Sequence, residues 1–484
     1  MATYYIDPSA ASDGTGTFAS PYNDWSPVTG NIAAYTTAGN TYLGKEGTTW
    51  TSGTGNLNLA AANLTFGTYD ATTGDQISDG NRRTTLDFSA CTATRCIRGD
   101  ATTDNLVIDS LHIIGSNTTD IINTTSGQSG LTVRNCKLIG TGANATSKNE
   151  GIYHLGGGPV YILNNDISKT NSGIWVQPDT GDTVSTEVSL INNNRIHDLA
   201  GTTAGDGDGI FIGTIGSFNI DHDYKFFISG NYITGYQENA IDILQNEIIC
   251  ENNDIGAGDG TNGVSGINVG VSGDYGSNNI IRNNYIHDIT LPANTAKAPL
   301  RNRGGINNKY YNNIISNVSN GTATVGLFNY TSGESGSWSM YNNSIIDCQC
   351  EYLIRMTTTG TITGEFYNNI ITGCTVDTNR FYLNDTDAVL AYGNNCFQTG
   401  LPGDSSALGT LTDAGDNITG DPKLNSDHTL QASSPCIGAG TAPLSEMDHD
   451  GKYRKTLSND IGAKWFDAHE DSTVERLLAS GGTS

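Results

Sequence analysis

Four acidic residues in two short phrases hold the types and spacing best suited to chemistry. The first phrase is Asp206-Gly207-Asp208-Gly209, and the second is Gln237-Glu238-Asn239-Ala240-Ile241-Asp242. Carboxylates brought close together can act on a glycosidic bond, one as proton donor and the other as base or nucleophile. The same oxygens could instead hold Ca²⁺, and Asp-Gly-Asp-Gly is also a turn sequence. Choosing among the three depends on whether the chain brings the two phrases side by side.

The element that would do so is a repeat. Alternating apolar residues, then Asn-Asn, one residue and Ile recur from Val160-Tyr161-Ile162-Leu163-Asn164-Asn165-Asp166-Ile167 onward. The second Asn falls at 165, 194, 231, 253, 284, 313, 343, 369 and 395, with Leu111 and Cys136 in the same place in two earlier copies. An apolar residue follows two positions later in every copy, from Ile113 and Leu138 through Ile371 and Phe397. Spacings of roughly 20 to 40 residues mark a solenoid. The period of two and the β-branched content predict strands. Copies too short to bury an apolar side alone would do so by stacking in parallel. Stacked Asn side chains would form an amide ladder, and Asn tolerates the left-handed backbone of a sharp corner.

A second phrase lies between the Asn corners: Gly151-Ile152-Tyr153-His154, Gly173-Ile174-Trp175-Val176, Gly209-Ile210-Phe211-Ile212, Ala240-Ile241-Asp242-Ile243 and Gly266-Ile267-Asn268-Val269. Each turn of the coil therefore has at least two strands. The pattern resembles the right-handed parallel β-helix superfamily of pectate lyases, polygalacturonases and phage tailspikes, over roughly residues 60 to 400. The resemblance implies an all-β, single-stranded right-handed parallel β-helix with N- and C-terminal caps. Residues 1–60 form the expected N-terminal cap and first coil, 61–400 the helix, and 401–484 a C-terminal capping segment with a short amphipathic helix over 467–478.

With the Ile of each Gly-Ile phrase inside, the next residue faces out. The expected outward row is Tyr153, Trp175, Phe211, Asp242, Asn268, Asn307, Phe328, Arg355 and Tyr382. Aromatic rings there could stack on sugars, or another subunit could cover them. Aligning Ala240 with Gly209 sets Glu238 beside Gly207, one residue from Asp208. Strands ~4.8 Å apart with ~3.3 Å per residue put those acids roughly 5–7 Å apart, a range that overlaps both glycosidase geometries. The turn before this strand is short at 234–239 and long on either side, at 198–208 and 288–304. The second long turn carries Lys297, Arg301 and Arg303, the densest basic group in the chain. Insertions in solenoids gather on one face, often the binding face, so the expected site is Asp206, Asp208, Glu238 and Asp242, with Tyr153, Trp175, Phe211, Asn268, Arg301 and Arg303 binding substrate.

Composition narrows the partners. A net charge of −26 over 484 residues argues against nucleic acid or an anionic membrane, and no apolar run is long enough to span a bilayer. The start, Met1-Ala2-Thr3-Tyr4, has no signal-peptide pattern, so either a signal was removed in cloning or the protein leaves a cytoplasm by another route, as a virion part does; the expected location is extracellular or the virion surface. Cys348 and Cys374 follow their Asn by the same interval, so they should stack as buried thiols, with Cys91 and Cys96 less certain. His197-Asp198 and His287-Asp288 lie on distant turns and read as corner residues.

The polygalacturonase and pectate lyase motifs are absent. The expected function is polysaccharide binding and depolymerisation, with a paired-carboxylate glycoside hydrolase favoured and no cofactor required. The alternatives are a polysaccharide lyase using Ca²⁺ with Arg301, Arg303, Arg355 or Lys309, and a non-catalytic glycan-binding spike. A tailspike form would be a homotrimer.

Overall fold

Backbone pairing in the computed structural model is almost entirely parallel and runs from one repeat to the next. The structure describes residues 1–25, 36–53, 55–116, 120–142, 149–178, 187–201, 207–213, 225–259, 264–270, 276–291, 297–320, 326–332, 335–404, 408–441, 447–452 and 459–464. The chain is an all-β, right-handed parallel β-helix of about 11 turns. Each full turn has three strands rather than the minimum of two: the Gly-Ile strand, the strand before the Asn pair, and a short strand after it. The turn of Asn239–Ile243, Ile249–Glu251 and Asp254–Ile255 is one example. Its three strands pair in register with those of the following turn, at Ile241↔Ile267, Cys250↔Ile281 and Ile255↔Ile286.

The two Asn residues of each repeat have different tasks. The first takes the left-handed conformation, with φ of 57° at Asn164, 55° at Asn252 and 54° at Asn342, and so turns the chain between the second and third strands. The second points inward and joins the ladder. The Nδ2 of Asn165 donates to Oδ1 of Asn194 (2.9 Å), Asn194 to Asn231 (3.0 Å) and Asn231 to Asn253 (2.9 Å), and the chain of amides continues through Asn395 to Asn417. Each amide also donates to a backbone carbonyl, as Asn253 does to Ile228 (2.9 Å). The buried polar row is thus satisfied, which is the condition for keeping it in an apolar interior. The Ile two positions later is inside in every described copy, among the buried residues of a single core that runs the length of the coil.

The Gly of the Gly-Ile phrase has a steric cause. A Cβ on Gly209 would lie 2.5 Å from the carbonyl oxygen of Ala240 on the next turn, and one on Gly173 would lie 2.5 Å from that of Gly209. At Gly173 and Gly209 the next strand therefore approaches too closely for a side chain.

Thr3–Ile6 begins the stack by pairing with Thr41–Lys45, with Ile6 and Trp25 fully buried. At the other end, the chain beyond Ile418–Thr419 runs back along the flank of the coil. His449 bonds the carbonyl of Asn312 through Nδ1 (2.8 Å), and Gly462 N donates to the carbonyl of Asn368 (2.9 Å). The helix expected over 467–478 lies outside the described residues. All nine cysteines are buried, with Cys348 and Cys374 on adjacent turns. Asp198 and Asp288 are left-handed corners (φ 54° and 55°). Each adjacent His spans two carboxylates: His287 reaches Asp288 through Nδ1 (2.7 Å) and Asp254 through Nε2 (2.8 Å).

Candidate functional site

Strand Asn239–Ile243 lies between Ile210–Ile212 and Ser265–Val269, with Asp242 opposite Phe211 on one side and Asn268 on the other. The short turn before it is pinned to its neighbour: Gln237 N and Glu238 N both donate to the carbonyl of Gly207, at 2.9 and 3.3 Å. The register that puts Glu238 beside Gly207 therefore holds, and it puts Asn239 beside Asp208.

Asn239 joins the acids. Its backbone N and its Nδ2 both donate to Oδ1 of Asp208 (2.9 Å each), and the same Nδ2 reaches Oδ2 of Asp242 at 3.3 Å. The other oxygen of Asp242 accepts from Nδ2 of Asn268 (2.7 Å). Lys297 closes the group from the long turn, with Nζ 3.0 Å from Oε1 of Glu238 and 3.4 Å from Oδ1 of Asn239. Asp208, Glu238 and Asp242 thus belong to one hydrogen-bonded network. Asp206 lies outside the described residues.

The surroundings separate the three carboxyls. Asp208 is buried, at 3% exposed. Burial, and then the charges of Asp242 and Glu238, push its carboxyl well above the usual range. Asp242 is half-buried; burial pushes it up to about 6, against the opposing pull of the Asn268 hydrogen bond. Glu238 has a cation at ion-pair distance. Burial also lowers the nearby guanidinium of Arg301 to about 10, with Arg303 adding repulsion. Among the described residues, no group of three His, Cys, Asp or Glu side chains is arranged to hold a metal ion.

The outward row differs from expectation in its second half. Successive strands align Tyr153, Trp175, Phe211, Asp242, Asn268, Arg301, Asn329, Arg355 and Tyr382. Arg301 and Asn329 stand where Asn307 and Phe328 were expected. Asn307 is a left-handed corner residue (φ 58°) and Phe328 is in the core. The shift arises because strand Leu300–Asn302 lacks a Gly-Ile phrase, so its place is set by pairing alone. The aromatic half is also not a platform. Trp175 and Phe211 stack at 3.9 Å between ring centroids and are each only 2% exposed, whereas Tyr153 is half-buried.

Asn239 was not singled out from the sequence, yet a signal was available. The residue before the Gly-Ile phrase is polar and buried on turn after turn, at Glu150, Ser172, Asp208, Asn239 and Ser265. A polar column at an inward position must be internally bonded, and that requirement alone points to contact between Asp208 and Asn239.

No protein-family model and no curated protein matches the chain. Among solved structures it is similar to the A-module of a mannuronan C-5 epimerase from Azotobacter vinelandii, at 12% identity over 79% of this chain and 91% of that one, with a TM-score of 0.37. It is also similar to a periplasmic alginate epimerase, at 14% identity over 71% of this chain and 79% of that one, TM-score 0.38. A GH136 lacto-N-biosidase from Eubacterium ramulus gives 10% identity over 87% and 68%, TM-score 0.41. The likeness is one of coil architecture. Among the described residues, no helix is long and apolar enough to cross a membrane.

Proposed function

We propose that the protein cleaves a polysaccharide by hydrolysis, with Asp242 as the proton donor and Glu238 as the carboxylate that activates water or attacks the sugar. The observation that carries this reading is the difference in surroundings between two acids of one network. Asp242 is half-buried and amide-bonded, with its carboxyl raised to about 6 chiefly by burial, while Lys297 holds Glu238 in a 3.0 Å ion pair. Two carboxyls in unlike surroundings can divide the roles of acid and base. Asp208, buried behind Asn239, is assigned a positioning role through the Asn239 amide.

A second reading is β-elimination at a uronate. Arg301, with its basicity lowered to about 10 by burial, would be the base. One experiment separates the two. Incubation with a panel of capsular, algal and plant polysaccharides should release new reducing ends without ultraviolet absorbance from unsaturated uronates, and Asp242→Asn and Glu238→Gln should each abolish the release. Unsaturated products would transfer the assignment to Arg301. Binding without either product would leave a glycan-binding protein.

A further inference from the structure

The polar half of the outward row contains two arginines, Arg301 and Arg355, with no carboxylate at ion-pair distance among the described residues. Elsewhere in this acidic chain arginines reach carboxylates: Arg134 to Asp109 (2.8 Å), Arg195 to Asp166 (3.5 Å), Arg282 to Glu251 (2.5 Å) and Arg380 to Asp404 (2.6 Å). Arg301 and Arg355 have no such partner among the described residues, and the Nε of each is buried without a hydrogen bond. Both side chains are half-buried, and they flank Asn329 on consecutive strands of one row. Strand spacing puts Arg301 and Arg355 about 10 Å apart along the coil axis, and Arg301 about 10 Å from Asp242.

A guanidinium taken partly out of water with an unbonded Nε is costly unless an anion completes it. Arg303 adds a second positive charge beside Arg301 instead of relieving it. Amides separate the charges. Asn268 and Asn329 are buried, and each has an Oδ1 that accepts no hydrogen bond. Asn329 Nδ2 donates to the carbonyl of Lys297 (3.2 Å), which ties this strip to the residue that holds Glu238.

We infer that the strip from Asn268 to Arg355 binds a negatively charged glycan, with one carboxylate or sulfate group held by Arg301 and another by Arg355. This deepens the proposed function and rests on its placement of a glycan along this face. The strip runs parallel to the coil axis from the acids towards the C-terminal turns, so the charge is read on that side of Asp242. The guanidiniums supply charge-assisted hydrogen bonds that no neutral sugar can use fully.

The test is calorimetric titration of the full chain carrying Asp242→Asn with three oligosaccharide sets of matched length. The sets are oligogalacturonates, sulfated galactan fragments and neutral galacto-oligosaccharides. The expected result is that one charged set binds at least tenfold more tightly than the neutral set and loses affinity as salt is raised. Which charged set binds distinguishes carboxylate from sulfate. Arg301→Gln and Arg355→Gln, each added to Asp242→Asn, should weaken that binding at least tenfold without lowering the melting temperature. Equal binding of neutral and charged sets, no binding by either charged set, or Gln variants of undiminished affinity would overturn the inference. The salt and neutral-ligand comparisons use the protein with both arginines intact, so they decide the matter even if a Gln variant fails to fold. Charged glycan bound as expected but never cleaved by the unsubstituted protein would remove the hydrolase and keep the strip. Cleavage of a neutral glycan at the same rate by the Arg301→Gln and Arg355→Gln proteins with Asp242 intact would do the reverse.

Discussion

Asn239 donates both its backbone and its side-chain nitrogen to a single oxygen of Asp208, at 2.9 Å each. That pair of hydrogen bonds to one acceptor fixes the amide so that the same Nδ2 also faces Asp242. Asp208 then works as a buried anchor. Its carboxyl is raised well above the usual range, chiefly by burial. Asp208→Asn preserves the acceptor oxygen and should retain turnover within a few-fold of the parent. Asn239→Ala leaves Asp208 and Asp242 without their shared donor and should cost about 1–3 kcal/mol of stability. Urea unfolding and initial-rate assays on the two variants check this, and loss of turnover in Asp208→Asn would put that residue in the chemistry.

On the proposed assignment, Asp242 should set the pH dependence. A proton donor must be protonated, so turnover should fall as pH rises through about 6. The stability effect has the same sign. A carboxyl raised from 3.8 to about 6 in the folded state contributes stability that is fully present below about 3.8 and lost as pH rises through about 6. Asp242→Asn should therefore melt higher than the parent at pH 8, with the gap closing by pH 4. A gap that widens on acidification would contradict the assignment.

Lys297 tunes the same group from outside. Its charge lowers the Asp242 carboxyl and pairs with Glu238. Lys297→Gln should move the alkaline limb of the pH–rate profile to higher pH and lower the maximal rate, because removing a cation raises the pKa of a nearby acid. A limb that moves to lower pH would show that another group controls it.

The two Asn residues of a repeat should respond differently to substitution. Asn253→Ala removes the acceptor for Asn231 N and Nδ2 and the donor to the carbonyl of Ile228, so it should destabilise by about 3 kcal/mol or more. Asn252→Gly keeps the left-handed corner without a Cβ and should stay within about 1 kcal/mol of the parent. Denaturant unfolding of both variants makes the comparison.

His287 should make the coil more stable on the acid side. Hydrogen bonds to Asp254 and then to Asp288 outweigh burial and raise its pKa. Its contribution is fully present below the ordinary histidine pKa and is lost as pH rises through the raised one. The difference in melting temperature between the parent and His287→Gln should be larger at pH 6 than at pH 9, and scanning calorimetry at the two values measures it.

The sequence by itself determined the coil. The recurring Asn and the Ile after it repeat a local geometry, and local geometry repeated at a fixed interval leaves stacking as the means of burying both. The left-handed corners, the amide ladder and the register of Ala240 with Gly209 were all legible for that reason. Tertiary structure decided what the repeat does not encode. Pairing, not a phrase, placed Arg301 and Asn329 on the outward row and sent Phe328 to the core. Burial withdrew Trp175 and Phe211 from the surface, which alternation alone cannot foresee, because alternation says which side a residue faces and not what lies over it. The linkage of Asp208, Asn239, Asp242 and Lys297 came from a short turn that meets Gly207 on one side and Lys297 on the other. Side chains far apart in sequence meet there at hydrogen-bond distance, and only the folded chain sets such distances.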